Sequence, residues 1–230
     1  MVAEPVPAPP QTALSTEVKS GETVYPLTLQ FPAETPLTDD ALLQISDAND
    51  GLRFERTERG ELVVMPPATN SSDEISAELT RQLGNWVRSG VGGMLQGSSG
   101  GFAWPDGRVR SPDAAWVSRE RLVALSSEER ERTYLPLCPN FVIEVRSPGE
   151  SVSSQQLRLA EWIECGAKLG WLIVPEDETV HVYRENGSVA LVERPETLSA
   201  DPVCADLVVS FEYVWNLESA RDLAAQADEE

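Results

Sequence analysis

The sequence predicts an α/β protein of the α+β kind: a mixed β-sheet core flanked by helices, with extra β-hairpins. Three observations predict it. Short β-rich runs bounded by turn residues outnumber helical runs, while two stretches of helical periodicity, Ile75 to Arg88 and Gln156 to Cys165, fall between them. Hydrophobic residues make up 41% and charged residues 24%, close to average globular usage, which excludes a disordered acidic polymer. The 230 residues suffice for one domain with its own core plus a tail.

The elements follow in order. Residues 1–36 hold Pro5, Pro7, Pro9, Pro10, Pro26, Pro32 and Pro36 without sustained apolar periodicity, and read as a proline-rich flexible arm ahead of a domain over 37–230. Thr38 before Asp39 and Asp40 starts a helix, since carboxylates complement the positive end of its dipole; Leu42, Leu43 and Ile45 face inward, and Asn49-Asp50-Gly51 ends it. Leu52 to Arg56 and Glu61 to Met65 flank Glu58-Arg59-Gly60 as a hairpin closed by Pro66-Pro67. Ser71-x-x-Glu74 is a capping box for a long amphipathic helix through Ile75, Leu79, Leu83, Trp86 and Val87.

After the glycine-rich stretch Gly90 to Gly101, Pro105-Asp106-Gly107 marks a tight turn, Ala114 to Val117 a strand, and Ser118 the cap of a short helix through Leu125. Phe141 to Val145 reads as a buried strand. Ser153-x-x-Gln156 is a second capping box, opening a helix that Gly166 terminates. Leu169 to Val174 is another buried strand, Thr179 to Arg184 and Val189 to Val192 form a hairpin, and Phe211 to Ala225 is helical.

Eighteen basic residues against 38 acidic ones leave a net charge of −20, with Lys19 and Lys168 as the only lysines. Such a surface opposes nonspecific nucleic-acid binding, and its acidic, lysine-poor character suggests adaptation to high salt, where the field is screened. There is no run of eighteen apolar residues, and the first thirty lack a charged segment followed by a continuous apolar one, so a cytoplasmic protein with no membrane partner is expected. Cys138, Cys165 and Cys204 lack CxxC spacing and read as buried free thiols.

Chemistry concentrates in two strings. Pro112-Asp113 opens one strand, and Glu144-Val145-Arg146 ends another. Magnesium prefers hard oxygen ligands and keeps several waters, so two carboxylates at neighbouring strand ends can hold it when a phosphate completes the shell. A bound ion then lowers the pKa of its water and neutralises charge developing on phosphorus. Glu144 interrupts an apolar strand and needs a partner or a metal. The alternative is that Asp113 caps a turn after proline and Glu144 pairs with Arg146 or another arginine.

Taken together the chain resembles the Uma-two family of the PD-(D/E)XK restriction-endonuclease-like superfamily, from about Leu52 to Trp215. The resemblance rests on Phe54-Glu55 through Gly60-Glu61-Leu62-Val63-Val64-Met65-Pro66-Pro67, on Ser111-Pro112-Asp113-Ala114-Ala115-Trp116-Val117, and on Phe141 to Pro148. It continues through Gly166-Ala167-Lys168-Leu169-Gly170-Trp171-Leu172-Ile173, Val182-Tyr183-Arg184 and Leu198-Ser199. It implies a restriction-endonuclease-like core and a magnesium-dependent DNA endonuclease, with manganese as a substitute ion and homo-oligomeric assembly. Asp113 and Glu144 would hold the ion, Arg158 or Arg146 would stabilise the phosphorus, and Glu74 would add a ligand.

Two departures accompany the resemblance. Arg158, four residues before Trp162, stands where the family usually has lysine, and a permanently protonated guanidinium cannot act as a base. After Met-Pro-Pro, where relatives often carry glutamate or histidine, come Asn70, Ser71 and Ser72, so Asp73 or Glu74 would substitute from the next turn; the competing role of Glu74 is the capping box. These departures motivate a second reading, a catalytically decayed nuclease fold kept as a binding or mobile-element-associated scaffold.

His181 lies in an alternating run and reads as structural, Lys168 as a helix-terminal cation, and the six tryptophans as core. Arg108, Arg110, Arg119, Arg121, Arg130 and Arg132 are interleaved with glutamates and read as salt-bridged faces rather than a basic rim. If the acidic surface is a salt adaptation, the melting temperature rises as potassium chloride is taken to molar concentration; a flat or falling dependence by calorimetry would reject it.

Overall fold

Phe141–Val145 and Leu169–Val174 are buried at every position, so the sheet containing them must be covered on both faces, and that requirement sets the layering. The computed structural model describes residues 26–65 and 69–217. In chain order the elements are β1 (Leu27–Leu29), α1 (Asp39–Asp47), β2 (Arg53–Arg56), β3 (Leu62–Met65) and α2 (Asn70–Trp86), which runs into a wide turn at Val87–Val91. Then come β4 (Met94–Gly97), β5 (Gly101–Ala103), β6 (Val109–Arg110), β7 (Ala114–Val117), α3 (Arg119–Val123), α4 (Ser127–Arg130) and β8 (Tyr134–Leu135). The remainder is β9 (Phe141–Val145), α5 (Val152–Cys165), β10 (Leu169–Val174), β11 (Thr179–Arg184), β12 (Val189–Glu193), β13 (Thr197–Ser199) and β14 (Val208–Ser210), with helix again at residues 212–217.

Where the sequence predicts one mixed sheet, the strands form two of six strands each, β1-β3-β2-β6-β5-β8 and β12-β11-β10-β9-β7-β4, beside the ribbon β13-β14. The second is the mixed core: β9 and β10 are parallel, joined by α5, and β7 runs antiparallel to β9. One face carries Trp116, Phe141, Ile143, Trp171 and Ile173 against Ile75, Leu79, Leu83 and Trp86 of α2. The other face meets α5, whose Trp162 packs with Ala115, Val117 and Val142 and touches the rings of Phe102 and Trp104 from the first sheet. Trp162 therefore ties the two sheets together. A third cluster, with Leu37, Leu42, Phe54 and Val64, fixes α1 on the first sheet.

Several expectations shift in detail. The arm lies largely outside the described residues, but its Leu27–Leu29 pairs with β3 as an edge strand. The cap of α2 is Thr69, whose hydroxyl accepts from the Ser72 amide, so Ser71 and Glu74 form no capping box. Likewise Ser151, not Ser153, caps α5 by accepting from the Ser154 amide. In each case an extended-backbone hydroxyl two residues upstream reaches the free amide first. Thr38 and Ser118 cap as expected, and Gly166 ends α5 in the left-handed conformation (φ 116°). His181 sits on β11, inside the sheet rather than at its edge. Pro66-Pro67 and residues 218–225 of the expected terminal helix lie outside the described residues. No helix among the described residues is long and apolar enough to cross a membrane.

Gly93 lets the segment entering β4 lie close to β7: a Cβ there would stand 2.4 Å from the Val117 carbonyl oxygen and 2.7 Å from Trp116 Nε1. Gly107 has a similar positive φ with open space around it. Gly107→Ala is therefore expected to cost about 1 kcal/mol, and Gly93→Ala at least about 2 kcal/mol more, by chemical denaturation. Equal losses would show that the chain yields at Gly93.

Candidate active site

The register Ala114↔Ile143 and Ala115↔Val142 places Asp113, one step further, opposite Glu144 at the end of β9. Both carboxylates come from short strings because the sheet is antiparallel there, not because the residues are near in sequence. Asp113 caps no turn. Its Oδ2 accepts from the Val145 amide at 2.7 Å, and its Oδ1 meets Arg53 Nη1 at 2.9 Å. Glu144 alternates with Ile143 and Val145, so it points to the α5 face, where Oε1 accepts from Arg158 Nε at 2.7 Å and Trp162 Nε1 at 2.8 Å. Arg158 and Trp162 are one helical turn apart and so reach one carboxylate together.

Behind this pair lies a third carboxylate. Glu55 of β2, 1% exposed, takes Arg158 in a two-pronged pair, Nη1 to Oε2 at 2.8 Å and Nη2 to Oε1 at 2.6 Å. It also accepts from Arg110 Nη1 and the Ser111 amide. The Ser111 carbonyl in turn accepts from Nη2 of both Arg53 and Arg158 at 2.8 Å. The loop Ser111-Pro112-Asp113 is thus clamped from both sheets.

These contacts split the acids electrostatically. Arg158, Arg110 and the Ser111 amide outweigh the burial of Glu55 and draw its carboxyl down to about 2. For Glu144 burial is the largest influence, and neighbouring Asp113 adds to it, so the carboxyl is pushed up to about 7 despite Arg158 and the Trp162 N–H. Arg158, held by both glutamates, stays protonated well above the ordinary arginine range. Glu144 is thus incompletely compensated, whereas Asp113 has Arg53 beside it.

Other expected site residues go elsewhere. Arg146 does not pair with Glu144: it lies past the strand end, where Nε donates to the Glu150 carbonyl and Nη1 meets Glu176 at 2.7 Å. Glu74 accepts from the Tyr213 hydroxyl of the C-terminal segment, and among the described residues no third acid joins Asp113 and Glu144 in a metal cluster. Asp73, one position earlier, lines the same groove as Asp113, an opening of about 610 Å³ between α2 and the β4–β5 turn that also holds Ser76, Thr80, Arg88 and Gln96. Arg108 and Arg110 are salt-bridged, but to Glu58, Asp106, Glu161 and Glu55 rather than to the interleaved glutamates, and Arg121 donates to the Cys138, Pro139 and Gly166 carbonyls. Sequence reasoning missed Glu55, Arg53 and the polar role of Trp162. The signal for Glu55 was there, a carboxylate beside Phe54 in a strand, but Arg53 and Arg56 made that strand look half-exposed.

Residues 39–212 match the model of the Uma2 family, described as "putative restriction endonuclease". The chain belongs to the Uma2 family. In structure it is similar to a protein from Anabaena variabilis described as a "putative nuclease", with a TM-score of 0.65 and 19% identity over 79% of this chain and 98% of that one. At that identity the likeness bears on the fold alone, a mixed sheet flanked by helices. No curated protein matches the chain.

The two glutamates give opposite pH dependences. Glu144 keeps a proton in the folded state that the unfolded chain loses above 4.5, so its contribution falls as pH rises from 4.5 to about 7. Glu55 contributes stability above 4.5 that is lost as pH falls toward about 2. Denaturant midpoints measured against pH should show Glu144→Gln flattening the upper slope and Glu55→Gln the acid one; an unchanged profile in either variant contradicts that assignment.

Proposed function

We propose that this Uma2 protein is a magnesium-dependent endonuclease that hydrolyses DNA phosphodiester bonds, with Asp113 and Glu144 as the metal ligands and manganese able to replace magnesium. The observation that carries the reading is the placement of these two carboxylates side by side at adjacent strand ends, in an environment where Glu144 is incompletely compensated. The donor set fits the ion: carboxylate oxygens are hard ligands, and Glu144 Oε1 takes both of that residue's hydrogen bonds, Oε2 taking none of them.

When bound, a divalent ion supplies an activated water and neutralises charge on the phosphate. The chain's own residues do the rest. The Val145 amide fixes the rotamer of Asp113. Arg158 and Trp162 aim Glu144, and Glu55 holds Arg158 in place. Arg158 has four of its five N–H groups engaged by Glu144, Glu55 and the Ser111 carbonyl, so it acts as a positioning residue rather than as a free phosphate clamp. That engagement also favours the second reading, a decayed site retained as a binding scaffold, because it pairs Glu55 and Glu144 with a fixed cation without any ion.

Nicking of supercoiled plasmid with magnesium or manganese, at low and molar salt, separates the two. The expected result is metal-dependent nicking by the wild type that is abolished in Asp113→Ala and Glu144→Ala. Arg158→Lys, which cannot reproduce the two-pronged pair, is expected to lose about 3 kcal/mol of stability and to gain no activity. Wild-type silence with activity in Arg158→Lys would instead establish a decayed enzyme, and cleavage surviving both alanine changes would reject the ligands.

A further inference from the structure

Three guanidinium groups surround the carboxylates, and their hydrogen bonds distinguish them. Arg158 has four of its five N–H groups engaged, as described above. Arg110 is stretched between Glu55 and Glu161, neither of which is a proposed ligand. Arg53 bonds Asp113 Oδ1 and the Ser111 carbonyl, and its Nε is buried without a partner. Its side chain is 24% exposed against 12% for Arg158. Arg53 is therefore the guanidinium that both touches a proposed ligand and keeps donors in reserve.

We propose that Arg53 is an exchangeable counter-ion: it neutralises Asp113 until a divalent ion binds, and then turns its guanidinium to the phosphate of the bound strand. The proposal rests on the nuclease reading. Two cations cannot share Asp113 without mutual repulsion, so an arriving ion weakens the Nη1 contact to Oδ1. The Ser111 carbonyl still tethers Nη2, which keeps the released group at the site. A planar fork with free N–H groups suits two non-bridging phosphate oxygens, whose charge grows during hydrolysis. In this role Arg53 takes up the two-pronged phosphate contact for which Arg158, with four of its five N–H groups engaged, has too few donors left.

An exchange of this kind moves two readouts in opposite directions, which a merely structural residue would not. Manganese binding, followed by electron paramagnetic resonance of the free ion, and plasmid nicking are measured on the full chain for wild type, Arg53→Gln and Arg53→Lys. Arg53→Gln is expected to bind manganese about tenfold more tightly, having lost a competing cation. Its kcat is expected to fall about 100-fold, with Arg53→Lys intermediate. Unchanged or weaker manganese binding in Arg53→Gln overturns the proposal, as does retained kcat.

A wild type that binds manganese and nicks DNA while Arg53→Gln fails either expectation removes this inference alone, whereas a wild type that neither binds nor nicks removes the nuclease reading with it. The wild-type chain offers a readout that needs no variant to fold. The sheltered Arg53 Nε–H resonance should shift on adding magnesium, and shift again on adding a phosphorothioate dinucleotide. A resonance indifferent to both overturns the proposal.

Discussion

The two-pronged pair between Glu55 and Arg158 is the constraint on which the rest of the site depends. Its partners come from different layers, β2 of the first sheet and α5 packed on the second. Both are almost out of water, so neither charge is tolerable alone, and losing one partner would leave the other buried and unpaired. The pair consequently fixes the distance between the sheets at one point. From there Arg158 Nε reaches Glu144, the Ser111 carbonyl is held by two arginines, and Asp113 is delivered to the Val145 amide. Trp162 completes the junction by packing against Phe102 and Trp104 while donating to Glu144. The apolar and ionic contacts at this junction are made by the same helix turn.

How much of this was legible in the sequence follows from which residues carry local signals. Helices, turns and buried strands announce themselves over a few residues, through periodicity and caps, and so does the suspicious Glu144 among Phe141, Val142, Ile143 and Val145. Asp113 and Glu144 could be paired from their strand-end positions alone. The division into two sheets could not, because β5, β6 and β8 are two or three residues long and pair across the chain through contacts that leave no pattern. Glu55 escaped for a related reason: its neighbours Arg53 and Arg56 are charged, yet each is turned inward to a specific acceptor, the first to Asp113 and the second to the Gly107 and Leu37 carbonyls. A strand of alternating charges reads as solvated until its partners are known.

The misplaced helix starts have a common cause as well. Ser71-x-x-Glu74 and Ser153-x-x-Gln156 satisfy the capping-box spacing, but Thr69 and Ser151 already present hydroxyls in extended backbone geometry two positions earlier. The difference matters for function at α2. Starting the helix at Asn70 rotates Glu74 toward Tyr213 and leaves Asp73 on the flank that borders Asp113. A start two residues upstream thus takes Glu74 out of the capping position, and Asp73 rather than Glu74 borders the groove.

Arginine at position 158, where the resemblance leads one to expect lysine, has a physical consequence beyond its permanent charge. Two oxygens of Glu55, one of Glu144 and the Ser111 carbonyl converge on this side chain. An ammonium has three donors at a single point and could not serve four acceptors spread around a plane, so a lysine would leave a buried acceptor unsatisfied. Arginine and Glu55 are therefore a matched pair, and the match redistributes roles: the residue at 158 becomes part of the frame that aims Glu144, and the positive charge left to meet a substrate sits across the site on Arg53. Whether chemistry survives such a redistribution depends on whether Asp113 can give up Arg53 for a divalent ion. The geometry permits it, because among the described residues Asp113 is held by the Val145 amide, fixed in the strand, and by Arg53, a partly exposed side chain.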